Sequence, residues 1–327
     1  KRHVMVEVSV FDDLEMVERL WQGHWPQVSI FDLWPVRACF QAQYNRSPYF
    51  LVAQRDGRFR GMLALSWIEE EQCFGHFPGE IWQGKTWLEQ NRILASDPGV
   101  LRALLSAVPS AARIRYLTGE SLRPNETSAT VDEIGYLFLP EQHDYSFETY
   151  MQGFSGKSRK KIRRELERLT TSGMSYRYNC FEDLDHLFRL NLECFQERSY
   201  FSDRRFLKSF ENLAAWLRTN NLLRLTTVLI GGKIAAADLG ALWRSTYTVL
   251  AGGTHPDFPG VAKLINLHHI QWACQQRLAT VDFLCGEFNW KKRFHLTARP
   301  LYEIFIPQVQ QGRQADGLVY WGLARAV

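Results

Sequence analysis

Nowhere in the 327 residues do ~20 consecutive apolar side chains, the length of a membrane-spanning helix, follow one another. No charged–apolar–small signal peptide opens the sequence. Lys1 is not an initiator methionine, so further sequence is expected ahead of it and a targeting segment stays open. The six cysteines (Cys39, Cys73, Cys180, Cys194, Cys274, Cys285) are scattered and never form a C-x-x-C pair. They are expected as buried free thiols of a reducing, cytoplasmic compartment, with no metal site among them. Also missing are a Walker loop, a Rossmann fingerprint and a nucleophile elbow with Ser, His and Asp in order. Charge of one sign is in short supply: 39 Lys and Arg against 35 Asp and Glu leave a net +4. That suits a phosphate-bearing ligand and is too weak to imply nucleic acid by itself.

What is present is a filled interior. A hydrophobic share of 46%, with 11 Trp and 21 Phe, excludes a disordered chain, and the length accommodates two domains. The first half reads as a strand (Val4–Val10), helices at Asp12–Trp25 and Trp34–Gln43, and a hairpin, Tyr49–Gln54 with Arg58–Trp67, around Asp56-Gly57. Pro98-Gly99-Val100 then opens a helix, Arg113–Thr118 is a strand closing on Gly119-Glu120, and Glu133–Leu139 is a last strand. The second half repeats the plan with helices at Phe181–Glu197 and Asp203–Arg218 and a hairpin around Gly231-Gly232. Next come a strand at Tyr247–Ala251, a helix at Val261–Gln276 behind Pro259-Gly260, and a strand at Thr280–Leu284 closing on Gly286-Glu287. Two local echoes support duplication: Pro-Gly-Val in both halves, and Leu117-Thr118-Gly119-Glu120 against Leu284-Cys285-Gly286-Glu287. The expected fold is α/β (α+β), with units 1–145 and 146–327, each a mixed sheet of about six strands flanked by helices.

Two features point to an anionic ligand. Strand, glycine-bearing turn and helix aim unpaired N–H groups outward, which makes Pro259, Gly260, Val261, Ala262 and Lys263 candidate cofactor contacts. The helix at Ser155–Leu169 has no counterpart in the first half, and six of the eight residues Lys157–Arg164 are cationic. Its first turns disfavour cations, so a bound phosphate would relieve them, and Lys157, Arg159, Lys160 and Arg163 are candidate ligand contacts. A solvated amphipathic helix, or a basic patch for nucleic acid or membrane, is the alternative. Asp282 and Asp238 lie in buried-looking strands, where a carboxylate implies either an ion pair or a substrate contact. His255, His268 and His269 lack metal-ligand spacing and are expected to be structural or exposed.

These residues resemble a known family. Ser155–Leu169, Gly232-Lys233-Ile234-Ala235-Ala236, Pro259-Gly260 and the run Asp282 to Phe294 are similar to the GNAT-type domain of FemAB-like and CelD-like tandem acyltransferases. The last run is the most specific, since Asp282, Phe283, Gly286, Glu287, Trp290, Lys291 and Phe294 fill every place of its pattern. The resemblance covers about Tyr150–Pro307 and implies two tandem GNAT-like domains, the first degenerate. It implies acyl transfer from an acyl-CoA co-substrate to an amine of a sugar, amino acid or peptide in cell-envelope or exopolysaccharide metabolism, with no permanently bound cofactor. Lys291 would hold a phosphate or the developing oxyanion, and Asn289 would contact substrate. Glu287 would take the amine's proton, or else pair with Lys291. Two departures matter. The usual pyrophosphate signature is reduced to Pro259-Gly260, and no long charged helical hairpin is inserted. The missing hairpin ranks aminoacyl-tRNA second as donor; a non-catalytic binding module is the third reading.

Overall fold

The computed structural model describes residues 5–122, 128–286 and 289–308. The first half runs β1 (Glu7–Phe11), α1 (Leu14–His24), α2 (Trp34–Tyr44), β2 (Pro48–Arg55), β3 (Arg58–Ile68), β4 (Cys73–His76), β5 (Leu94–Ala95), α3 (Pro98–Ser106), β6 (Ala112–Thr118) and β7 (Thr130–Phe138). After α4 (Phe147–Gln152) and the basic α5 (Gly156–Thr171) comes a second copy. It consists of β8 (Met174–Tyr178), α6 (Asp183–Phe195), α7 (Arg204–Thr219), β9 (Leu223–Ile230), β10 (Lys233–Trp243), β11 (Thr246–Thr254), α8 (Val261–Gln275) and β12 (Thr280–Cys285). The short α9 (Asn289–Arg293) and β13 (Thr297–Ile306) follow. Local chemistry accounts for the shared elements. Asp56 (φ 53°) with Gly57 (φ 67°), and Gly231 (φ 56°) with Gly232 (φ 77°), put both turn residues in the left-handed region that a tight hairpin needs. Asp13 and Asp203 cap α1 and α7 by accepting from Met16 and Arg205 N–H groups.

The strands form one continuous mixed sheet, ordered β1-β2-β3-β4-β6-β13-β7-β12-β11-β10-β9-β8, with β5 on β3. Read from either edge, this order meets equivalent strands in the same succession, so the topology is that of a duplication. The halves do not keep separate sheets, however. β13 lies antiparallel between β6 and β7, and β7 is antiparallel to β12, so each half lends its last strand to the other. A pattern search misses β13 because Arg299 and Pro300 interrupt its apolar residues. The residue-level echoes are also offset. α3 starts at Pro98, whereas α8 starts at Val261 behind a left-handed Gly260 (φ 94°), leaving Pro259 outside the helix.

The halves share a core as well as a sheet. α2 packs on α7, with Phe40 5.7 Å from Phe206 and 6.1 Å from Phe210, and Trp87 4.7 Å from Phe210. Phe40, Phe206 and Phe210 are buried, and each such ring contributes about 1.5–3 kcal/mol, so this seam alone is substantial. Of the six free cysteines only Cys274 is buried; the others are half-buried or, for Cys194, exposed. Among the described residues no helix is long and apolar enough to cross a membrane.

Candidate functional site

The sheet opens at one place in the second half. Parallel β11 and β12 pair over Thr246 with Thr280, Tyr247 with Val281 and Thr248 with Asp282. Beyond that β11 continues to Thr254 and β12 to Cys285 without pairing each other. The carboxyl ends of parallel strands are where open α/β sheets take ligands. α8 begins at this mouth, and its Gly260 cap offers no side-chain oxygen to its first N–H groups. The start of α8 and the C-terminal half of α5 touch here, through Glu165 and Arg168 and not through the cations of the first turns of α5. Lys263 Nζ lies 2.5 Å from Glu165 Oε2, and Arg168 Nη2 donates to the Pro259 carbonyl at 3.0 Å. Lys157, Lys160, Arg163 and Arg164 are exposed on α5 and Arg159 is half-buried. Gly156, Arg159, Lys160, Arg163, Arg164 and Glu167 line an open groove. The Lys263 ammonium is thus committed to Glu165, and Arg163 sits 3.6 Å from Glu148 in an exposed pair worth little.

At the end of β12 a second cluster forms, in which both halves take part. Between Asp282 and Cys285 the ladder to β7 slips by one residue, and Leu284 takes a left-handed φ of 58°. Lys291, 2% exposed, donates from Nζ to the carbonyls of Phe283 and Leu284 at 2.9 Å and of Cys285 at 2.8 Å. This gives its ammonium a backbone role: a ligand could reach it only in competition with these carbonyls. Burial lowers its pKa to about 8 against the pull of Glu89, Cys285, Asp282 and Glu133. Asp282 resolves as an ion pair: Arg299 Nη1 lies 2.8 Å from Oδ2, which also accepts from Gln90 at 2.9 Å. Asp238, likewise buried, meets His269 Nε2 at 2.9 Å inside the β10–α8 core. His268 stacks on Tyr176 at 3.8 Å. Glu287 and the side chain of Asn289 lie outside the described residues.

Sequence reasoning passed over Glu89. It is 4% exposed, accepts the Cys285 N–H through Oε1 at 2.7 Å, and its Oε2 has Arg299 Nη2 at 3.6 Å and no hydrogen bond. Burial, reinforced by neighbouring Asp282, raises its pKa to about 7. The one signal available was the polar run Glu89-Gln90-Asn91-Arg92 between Leu88 and Ile93, too polar for an ordinary buried segment.

Residues 156–292, from the start of α5 to Lys292 in α9, match the family model described as acetyltransferase (GNAT) domain. The second half carries an acyltransferase domain. No curated protein matches the chain in sequence. Among solved structures, FemX is similar at 11% identity, covering 90% of this chain and 96% of that one, with a TM-score of 0.58. L-PGS from Bacillus licheniformis is similar at 12%, covering 90% and 92%, with a TM-score of 0.55. The C-terminal domain assigned to a lysylphosphatidylglycerol synthetase of Agrobacterium fabrum is similar at 11%, covering 82% and 86%, with a TM-score of 0.52. At such identities the likeness is one of fold, and it extends over both GNAT-like halves.

Proposed function

We propose that the chain passes an acyl group from a phosphate-bearing donor, seated in the β11/β12 opening, to an amine of a sugar, amino acid or peptide. The setting we propose is cytoplasmic cell-envelope or exopolysaccharide metabolism. The opening itself carries this reading: strands that part after three residue pairs, with a helix start that has no side-chain cap and α5 held against that start through Glu165 and Arg168. Val261 N–H already reaches the Phe258 carbonyl, but the first turn of α8 has no side-chain cap, and that start together with α5 cations suits a diphosphate. An amine attacking a thioester or ester carbonyl expels the carrier without a protein nucleophile; placement and removal of one proton suffice. We take acyl-CoA as the donor, with Pro259–Lys263 and Lys157, Arg159, Lys160 and Arg163 facing its phosphates. The units 1–145 and 146–327 remain our division of the chain, the first half shaping the acceptor side.

One observation favours aminoacyl-tRNA as the donor instead. The exposed cations of α5 exceed what one diphosphate needs, and one neighbour's name attaches a lysyl group to phosphatidylglycerol. Native mass spectrometry with acetyl-CoA, longer CoA thioesters and charged or deacylated tRNA separates the two. Retention of a CoA thioester supports the first reading. Retention of tRNA alone, falling steeply with salt, moves the assignment to the second. Retention of neither leaves a binding module on this fold.

A further inference from the structure

The same backbone defect ends the penultimate strand of both halves. On β6, Ile114 pairs with Ile304 and Leu117 with Tyr302, so three steps along β6 face two along β13. On β12, Asp282 pairs with Leu137 and Cys285 with Gly135, again three steps against two. Tyr116 (φ 53°) and Leu284 (φ 58°) are the left-handed residues within the two bulges. The bulges therefore equate Ile114 with Asp282, Arg115 with Phe283 and Tyr116 with Leu284. Each bulge N–H is taken by a carboxylate that an arginine holds. Tyr116 N donates to Asp132 Oδ2 at 3.2 Å, and Asp132 pairs with Arg115. Leu284 N donates to Asp282 Oδ1 at 2.9 Å, and Asp282 pairs with Arg299.

The carbonyls are satisfied in parallel too, by one residue in each half. Asn91 donates from Nδ2 to Arg115 O at 2.9 Å and from its backbone N to Tyr116 O at 2.8 Å. At the equivalent carbonyls of Phe283 and Leu284 stands Lys291 Nζ. A non-glycine residue in the left-handed region is strained, and a buried carbonyl without a donor adds to the cost, so each bulge leans on its donor. The two donors differ in what else they bring. Asn91 arrives with main chain, and its carbonyl accepts the Thr118 N–H at 2.9 Å. The segment around it runs parallel to β6, bridging to Leu117, where β4 has left after a single pair, Phe74 with Ala112. The first opening is thus filled by the chain itself. Lys291 reaches its bulge with a side chain instead. Glu89, two residues before Asn91, crosses to hold the Cys285 N–H of that second bulge.

We infer that Lys291 is a positioning residue, the counterpart of Asn91, which fixes the β12 bulge with an ammonium instead of main chain and so keeps the second opening available to a ligand. This rests on the proposal that the β11/β12 opening takes the donor. The first opening, closed by residues 88–92, takes none.

Hydrogen exchange read by mass spectrometry on the full chain tests the assignment. In Lys291→Met, exchange in peptides covering 280–286 and 246–254 should rise by about tenfold or more, as local opening is freed, while 112–118 stays protected. Asn91→Ala should show the reverse pattern. Lys291→Gln, which keeps two N–H donors on a shorter arm, should restore part of the protection, and it carries the comparison should Lys291→Met not fold. Calorimetry with CoA should give one site per chain. Unchanged protection of 280–286 in both Lys291 variants, together with lost CoA affinity, would make Lys291 a direct ligand contact and overturn the inference. Two CoA sites would overturn it as well. Absence of CoA binding would remove the donor reading alone, and the exchange pattern would still decide the role of Lys291.

Discussion

Glu89 is a carboxyl held in an environment that its type avoids, buried beside a second carboxylate. Its pKa is raised to about 7 from 4.5, burial being the main cause. A carboxyl raised in this way binds its proton more tightly folded than unfolded. Its contribution is therefore full below pH 4.5 and is lost as pH climbs to about 7, at about 1.4 kcal/mol per pH unit. Glu89→Gln keeps an oxygen for the Cys285 N–H and removes the titration. Its melting temperature should match the parent near pH 4.5 and exceed it at pH 8, the gap opening between those values; a constant gap would mean that Glu89 does not titrate there. Asp282→Asn should cost ~1–3 kcal/mol in denaturant unfolding, because the buried carboxylate charge is lost while half-buried Arg299 keeps only Glu89 at 3.6 Å. A cost below ~1 kcal/mol would place Asp282 among exposed pairs instead. Both carboxylates had to be placed by contacts far along the chain: Glu89 meets Cys285 across 196 residues, and Gln90 meets Asp282 across 192.

At the scale of elements, α5 and α8 act as one device. The two clips, Glu165 to Lys263 and Arg168 to the Pro259 carbonyl, set the C-terminal half of α5 against the start of α8. The cationic turns are left free of the core, with only Ile162 and Leu169 of α5 fully buried. Arg159→Ala and Arg163→Ala should each weaken binding of CoA by ~1.5–3 kcal/mol, the value of a charge-assisted hydrogen bond, when measured by calorimetry. Thermal stability should hardly move in Arg163→Ala, since its pair with Glu148 is exposed on both sides. Unchanged affinity in both variants would return α5 to a solvated face. The helix itself was legible from the cationic run, and Ser155 caps it through the Ser158 N–H. Its apposition to α8 was not, because Glu165 and Arg168 look in sequence like any other exposed charges.

For the whole molecule, the exchanged strands make the halves interdependent. Residues 1–145 alone would leave β6 without β13, and residues 146–327 alone would leave β12 without β7. Each would also expose its side of the α2–α7 seam. Neither fragment should show a cooperative melt on its own, whereas co-expressed fragments should associate and recover one. A cooperative melt of residues 146–327 alone would show the exchange to be dispensable. The periodicity of apolar residues and the turn dipeptides were enough to place the longer helices, though not α4 or α9, together with the two hairpins and the repeated order of elements, because each is settled within a few residues of itself. The motif from Asp282 to Phe294 likewise marked Lys291 as a residue with a task. What that task is depended on tertiary structure. A bulge is a mismatch between two strands, and the partners of β6 and β12 are supplied by opposite halves of the chain. Three backbone carbonyls waiting for an ammonium leave no trace in side-chain identity.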